Sequence, residues 1–312
     1  MNSHRHTFYV FISIILLILA CIADVMWGGR ANMDIMFYLR LPRMATALLS
    51  GAAMALAGSQ MQSIFRNPLA DPHIMGISSG AALGAAIATM CAGAAIGGAP
   101  IAISAAIGAG AAAAVILYAS RKFSSASVLL IFGVMLGFIV TAAVSILQFS
   151  SDAESLKTYY SWSAGSFSNT TWAETAIIAG ALVIGLLISL RNHKGLDLIL
   201  FGDEFTELSG GNPSKIRLSA LLSCSLMTGA ATAFCGPLGF VGIIAPHIAK
   251  ALLGTSSHRA VLPASLLTGG LIGVCADLIS RMTPSPIPVA STMALLGIPV
   301  ILYTMLKKPS YE

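Results

Sequence analysis

Long apolar runs separated by short polar ones dominate the chain. Ten segments are long enough, or nearly long enough, to cross a bilayer: approximately 8–27, 44–64, 76–97, 99–119, 126–149, 172–190, 218–236, 239–253, 261–281 and 288–306. At about 1.5 Å of rise per residue, about 20 apolar residues span the hydrocarbon core as a helix. The pattern predicts an all-α polytopic membrane protein of about ten transmembrane helices, a single transmembrane domain over 1–312. An even number of crossings puts both termini on one side, and the bias of lysine and arginine decides which side. With both termini inside, the inner ends carry Arg5, Arg66, Arg121, Lys122, Arg191, Lys194, Lys215, Arg217, Lys250, Arg259, Lys307 and Lys308. The outer ends carry only Arg30, Arg40, Arg43, Lys157 and Arg281. This asymmetry supports cytoplasmic termini.

Composition sharpens the picture. The 312 residues are 56% hydrophobic and 9% charged, with mean hydropathy +0.86, whereas soluble domains are about 25% charged. A cleaved signal peptide is the rival reading of the first run, but Asp24, Trp27 and Arg30 offer no small-residue cleavage site. The net charge of +5 has no basic cluster behind it, so loop bias explains it and no nucleic-acid partner is expected. Cys21, Cys91, Cys224, Cys235 and Cys275 are scattered without ligand spacing and read as packing residues. Glycines four apart (Gly76, Gly80 and Gly84; Gly93 and Gly97; Gly133 and Gly137; Gly269 and Gly273) allow close helix approach, inside the molecule or at a dimer seam. LLSGAAMALAG at 48–58 matches LMTGAATAFCG at 226–236 in its glycines and three alanines, and each copy precedes a Pro-His-Ile. The copies open helices two and seven, five crossings apart, which predicts two inverted halves, helices 2–5 and 7–10.

The stretch GPLGFVGIIAPHIAKALLG at 236–254 combines apolarity with interruption. Proline lacks an amide donor and its ring clashes with the preceding turn. In lipid the freed carbonyl needs a partner, so such a break survives only against protein or a wet cavity. Gly236, Pro237, Gly239, Gly242, Pro246 and His247 therefore form a candidate broken-helix pathway element, with a kinked packing helix as the plain alternative. Outside, Arg40-Leu41-Pro42-Arg43 and Arg281 could grip a carboxylate or snorkel as membrane anchors. The outer loop at 150–172 carries Tyr159, Tyr160, Trp162 and Trp172, residues suited to a membrane interface. The inner loop at 191–217 has an acidic start at Asp203 and Glu204, and Gly210-Gly211-Asn212-Pro213 as a stop. It reads as a short helix holding Leu208 and a sharp turn, with room for a second helix, or as a solvated loop.

These motifs resemble one family. GFVGIIAPHIAKALLG followed by His258-Arg259 and Leu262-Pro263, RLPR before GAAMALAG, and RNPLADPHIMGISSGAALG are similar to the permease subunits of type II ATP-binding-cassette importers, which take up iron chelates, haem or cobalamin. The likeness extends over about 35–308. It implies that Arg40, Arg43 and Arg281 face acidic residues of a periplasmic or lipid-anchored substrate-binding protein. It makes residues 202–217 cytoplasmic coupling helices that dock on an ATPase, with Gly202, Asp203, Glu204, Leu208 and Gly210 as the residues concerned. Glu207, Ser209, Gly211, Pro286 and Ala290 depart from the family's usual residues. The implied partners are a second permease copy, two cytoplasmic ATPase subunits, the binding protein and membrane lipid, in a bacterial inner membrane.

What is missing narrows the mechanism. No Gly-x-x-x-x-Gly-Lys-Ser/Thr loop occurs, so this chain is expected to be a non-catalytic transport subunit that binds no cofactor, while ATP and magnesium are used by the partner. An ion-coupled carrier would want ionisable groups deep in its helices, for which Asp277 is the main candidate. An intramembrane enzyme would want His-Glu-x-x-His or Gly-x-Ser-x-Gly, and neither occurs. Lone His73 and His247 without carboxylates do not make a metal site.

Overall fold

A computed structural model describes residues 2–28, 32–91, 97–123, 125–283 and 287–306. Arg30, Gly93, Pro284, Ser285, Pro286, Lys307 and Lys308, which entered the reading of the sequence, lie outside the described residues, as does the side chain of Arg5. The described elements are helical. In order they are α1 (Asn2–Met26), α2 (Met33–Ile35) running into a π-helical turn at Met36–Arg40, α3 (Leu41–Ile64), a 3-10 turn at Pro72–Met75, α4 (Ile77–Cys91), α5 (Gly98–Lys122) and α6 (Ala126–Phe149). There follow α7 (Ala153–Ser163), α8 (Trp172–Ile199), α9 (Asp203–Leu208), α10 (Pro213–Cys235), α11 (Val241–Leu253), α12 (His258–Ser280) and α13 (Val289–Leu306).

Each of the ten apolar segments contains a helix. Six helices, α1, α5, α6, α8, α10 and α12, are long and apolar enough to cross a membrane, while α4, α11 and α13 are shorter apolar helices. Helix α3 has the length but not the hydropathy, for a physical reason. It is buried without interruption from Ser50 to Ile64, so other helices rather than lipid surround it. A helix enclosed by protein can carry Ser59, Gln60, Gln62 and Ser63 where a lipid-facing one could not.

Small residues set the packing around this central helix. A Cβ on Gly58 would stand 1.9 Å from the carbonyl oxygen of Gly242 on α11, and one on Gly51 2.3 Å from that of Gly269 on α12. Backbones touch there because nothing intervenes. Gly80 and Gly84 meet α5 at Gly108 and Ser104, and Gly133 meets Met75. At these positions the spaced glycines serve internal packing. Helix α3 packs on α12 and α10 packs on α5, so the first helix of each half leans on the third helix of the other. A twofold relation between inverted halves produces that exchange.

Three elements differ from the reading of the sequence. Residues 153–163 form a helix, α7, because Asp152 accepts the amides of Glu154 and Ser155, both at 3.0 Å. These same amides, chiefly that of Ser155, hold the Asp152 carboxyl below its usual range. Helix α8 does not stop near residue 190 but runs on to Ile199. Arg191, Asn192 and Lys194 favour or tolerate helix, and Asn192 donates to the Ile216 carbonyl of α10 at 3.0 Å. A helix of 28 residues is about 42 Å long and so outreaches a core of about 30 Å. The 202–217 region holds one short helix, not two. Pro213 already belongs to the first turn of α10, with Asn212 accepting the Lys215 amide at 3.0 Å as its cap.

Candidate functional site

The coupling region sits at the tip of the overlong α8. Gly202, at φ 108°, turns the chain into α9, a conformation that favours glycine. Asp203 is ion-paired with Arg217 of α10, whose side chain is 4% exposed, so the first residue of α9 is tied to the bundle. Thr206 Oγ1 donates to the Gly202 carbonyl at 2.7 Å. The apolar residues here face outward. Leu208 is 89% exposed and Phe201 72%, and the Phe201 and Phe205 rings lie 5.2 Å apart. A cleft of about 530 Å³ opens between α9 and Arg66. Leu208 is the last residue of α9 rather than an interior one, and Gly210, at φ 79°, follows the helix in the turn.

The broken stretch is broken once, not twice. Helix α10 ends at Cys235 and Gly236 turns away at φ 76°, where a Cβ would stand 2.4 Å from the Trp162 carbonyl. Pro237, Leu238 and Gly239 lie outside any helix, and Phe240 enters α11 at φ 70°. Pro246, expected to interrupt the chain again, lies inside α11, which runs through it to Leu253. The missing amide would have bonded the Gly242 carbonyl four residues back. Gln62 of α3 fills the gap, its Nε2 donating to the carbonyls of Gly242 at 3.4 Å and Ile243 at 3.2 Å. Its Oε1 accepts from Lys250 Nζ at 3.0 Å. His247 Nδ1 lies 2.7 Å from the Ile243 carbonyl and so acts within its own helix.

This contact gives a separable prediction. Gln62→Leu and Gln62→Glu are both expected to lower thermal stability in detergent, since each removes the donor and leaves a buried carbonyl without a partner, at about 1–3 kcal/mol. If Gln62→Glu, which keeps an acceptor for Lys250, is as stable as the parent, the lysine contact matters and the carbonyl contact does not.

At the opposite end, marked by α7, the arginines are already engaged. Arg43 pairs with Asp277 in a fork, Nε to Oδ2 at 2.8 Å and Nη2 to Oδ1 at 2.8 Å. Asp277 is fully buried and Arg43 is 15% exposed. Arg281 is ion-paired with Asp24 of α1 and lies 3.3 Å from Asp277 one turn earlier. Arg40 donates to the Val25 carbonyl at 3.0 Å. The three arginines expected to await an incoming protein thus bind α1 and α12 to the start of α3. The pairings of Arg43 with Asp277, Arg281 with Asp24 and Arg40 with Val25 leave no local signal, because 15–257 residues separate the partners along the chain. Asp277 and Arg281 differ in standing four residues apart, a spacing that puts them on one helix face. The outer loop is not a simple interface either: Tyr159 is buried, while Glu154, Lys157, Trp162, Asn169 and Glu174 line a cavity of about 810 Å³ with the end of α10.

A many-helix membrane bundle with a centrally buried small-residue helix, a single broken helix and an exposed apolar tip is the architecture of a transport permease. The FecCD transport family profile matches residues 7–307, and the chain belongs to that family. It is 33% identical to the hemin transport system permease protein HmuU of Yersinia pestis over 292 residues, 91% of this chain and 85% of that one. It is 34% identical to the cobalamin import system permease protein BtuC of Halobacterium salinarum over 267 residues, 86% and 72% of the two chains. A solved structure described as an inward-facing conformation of a metal-chelate type ABC transporter matches with TM-score 0.86 and 28% identity, covering 95% of this chain and 98% of that one. The protein is a multi-pass transport permease.

Proposed function

We propose that the chain is the membrane subunit of an ATP-driven importer that carries an iron chelate, a ferric siderophore or haem, into the cytoplasm across the inner membrane. The observation that carries this reading is the exposed apolar surface of α9, held rigidly at the end of a helix longer than the bilayer. Exposed Phe201, Phe205 and Leu208 have no use in water but fit a partner's groove. Two ATPase subunits would dock there, one on each of two permease copies, and their ATP-driven motion would move α9. The binding protein would deliver its ligand at the α7 end, beside the cavity. Arg40, Arg43 and Arg281 would shape that docking rim, with the ion pairs of Arg43 and Arg281 fixing its geometry. Cobalamin is the alternative cargo, favoured by the likeness to the Halobacterium protein. An ion-coupled carrier is less well supported, because its best candidate group, Asp277, is shut in between two guanidinium groups.

The test is reconstitution with the ATPase and binding protein and measurement of ATP-dependent uptake of labelled haem, ferric siderophore and cobalamin. Single cysteines at Ser151 and Asn212, in a background without the native five, should label from opposite sides, 151 from outside and 212 only after permeabilisation. Uptake without the ATPase, or labelling of both positions from one side, would overturn the reading.

A further inference from the structure

Away from the arginine pairs, a second polar chain runs from the part-exposed Asp197 into the bundle at the α9 end. Asp197 of α8, His258 of α12 and Ser63 of α3 lie in line: His258 Nδ1 is 2.6 Å from Asp197 Oδ1, and His258 Nε2 is 2.6 Å from Ser63 Oγ. Asp197 Oδ1 also accepts the His258 backbone amide at 2.7 Å, and Ser257 Oγ donates to Oδ2 at 3.3 Å. Ser63 Oγ also bonds the Ser59 carbonyl at 2.9 Å, one turn earlier in α3. His258 and Ser63 are fully buried. The order Asp-His-Ser matches that of a hydrolytic triad, yet no substrate can reach a serine with no exposure, so the arrangement is not a nucleophilic site.

We propose that Asp197, His258 and Ser63 form a strut that makes the tip of α8, and with it α9, move as one piece with α3 and α12, and that these three are positioning residues for coupling. The proposal rests on the importer reading above. Its basis is where the strut stands. Asp197 lies five residues before Gly202, and only 200–202 separate α8 from α9. The first residue of α9 is itself pinned to α10 through Asp203 and Arg217. Ser63 is the neighbour of Gln62, which holds the proline-freed Gly242 carbonyl of α11 and the Ile243 carbonyl beside it. A displacement of α9 therefore reaches α12 through His258, α3 through Ser63, α11 through Gln62, and the start of α10 through Arg217. Charge-assisted hydrogen bonds to a buried ring transmit such a displacement because breaking them leaves His258 and Ser63, both buried, with unpaired polar atoms. A loose α8 tip would instead absorb the motion locally.

The test uses Ser63→Ala, His258→Gln, Asp197→Asn and the double variant Asp197→Asn with His258→Gln, each reconstituted in liposomes with the ATPase and binding protein. Three quantities are read: ATPase bound per permease, hydrolysis, and uptake per ATP hydrolysed. Misfolding removes uptake and hydrolysis together and leaves their ratio alone, so the ratio isolates coupling. The expected result is wild-type ATPase stoichiometry with uptake per ATP reduced about tenfold in His258→Gln and Asp197→Asn, less in Ser63→Ala, and no further loss in the double variant. An unchanged ratio in His258→Gln and Asp197→Asn, or additive losses in the double variant, would overturn the strut. A wild-type complex that shows no ATP-dependent uptake would remove the importer reading itself, and the strut with it.

Discussion

Phe205→Asp combined with Leu208→Asp is expected to leave the permease folded and inserted but to abolish ATP-dependent uptake. Both side chains are exposed on α9, Leu208 at 89% and Phe205 at 47%, so replacing them costs the bundle little, within about 0.5 kcal/mol for substitutions away from buried features. A docked ATPase changes the balance. An unpaired carboxylate placed in an apolar contact loses its hydration without gaining a partner, and two of them on a six-residue helix leave no alternative face. Copurification of the ATPase should fall with uptake, while the amount of inserted protein and its detergent melting temperature stay at the parent's values. Full uptake by the double variant would refute α9 as the coupling surface. Proline at 208 is the weaker probe, because the residue ends the helix and no interior turn would be broken.

The second large effect is expected at the other end of the molecule. Asp277→Leu should destabilise the protein severely, by about 3–5 kcal/mol, the cost of leaving one member of a buried ion pair without its partner. Asp277 is fully buried and carries the whole fork to Arg43 as well as a contact with Arg281. Arg281 keeps Asp24, so Arg43 bears most of the loss. Adding Arg43→Leu to Asp277→Leu should recover most of the stability, since removing both charges removes the orphan. The readout is melting temperature in detergent and yield of monodisperse protein. If the single variant melts like the parent, these charges are hydrated and not structural. The same geometry bears on charge reversal of Arg40 and Arg43: the first loss should be of folded protein, and only the folded remainder reports on docking of a binding protein.

The sequence by itself determined the membrane class and the ten helical segments, because burial in lipid writes hydropathy directly into composition. It made α9 legible as a short helix, through the acidic start at Asp203 and Glu204 and the glycine-rich stop, but not its last residue, which is Leu208. It also determined the break at Gly236-Pro237 and the family, whose motifs are local runs of residues. Its expectation of a second break at Pro246 was overturned by Gln62, a side chain 184 positions earlier in the chain, whose amide repairs the defect that proline creates. Two of its outer arginines, Arg43 and Arg281, became an ion-paired cluster because Asp277 and Asp24 come from helices far apart in the sequence. Helix α8 extends through charged residues because Asn192 finds Ile216, and α7 forms where aromatic residues alone suggested a loop. The Asp197–His258–Ser63 chain left no trace in any local pattern, since its members stand 61 and 195 residues apart. Periodicity and caps act within a turn or two of helix and are legible residue by residue. Which polar side chain repairs which buried defect is decided by contacts between distant segments, and those exist only once the helices have packed.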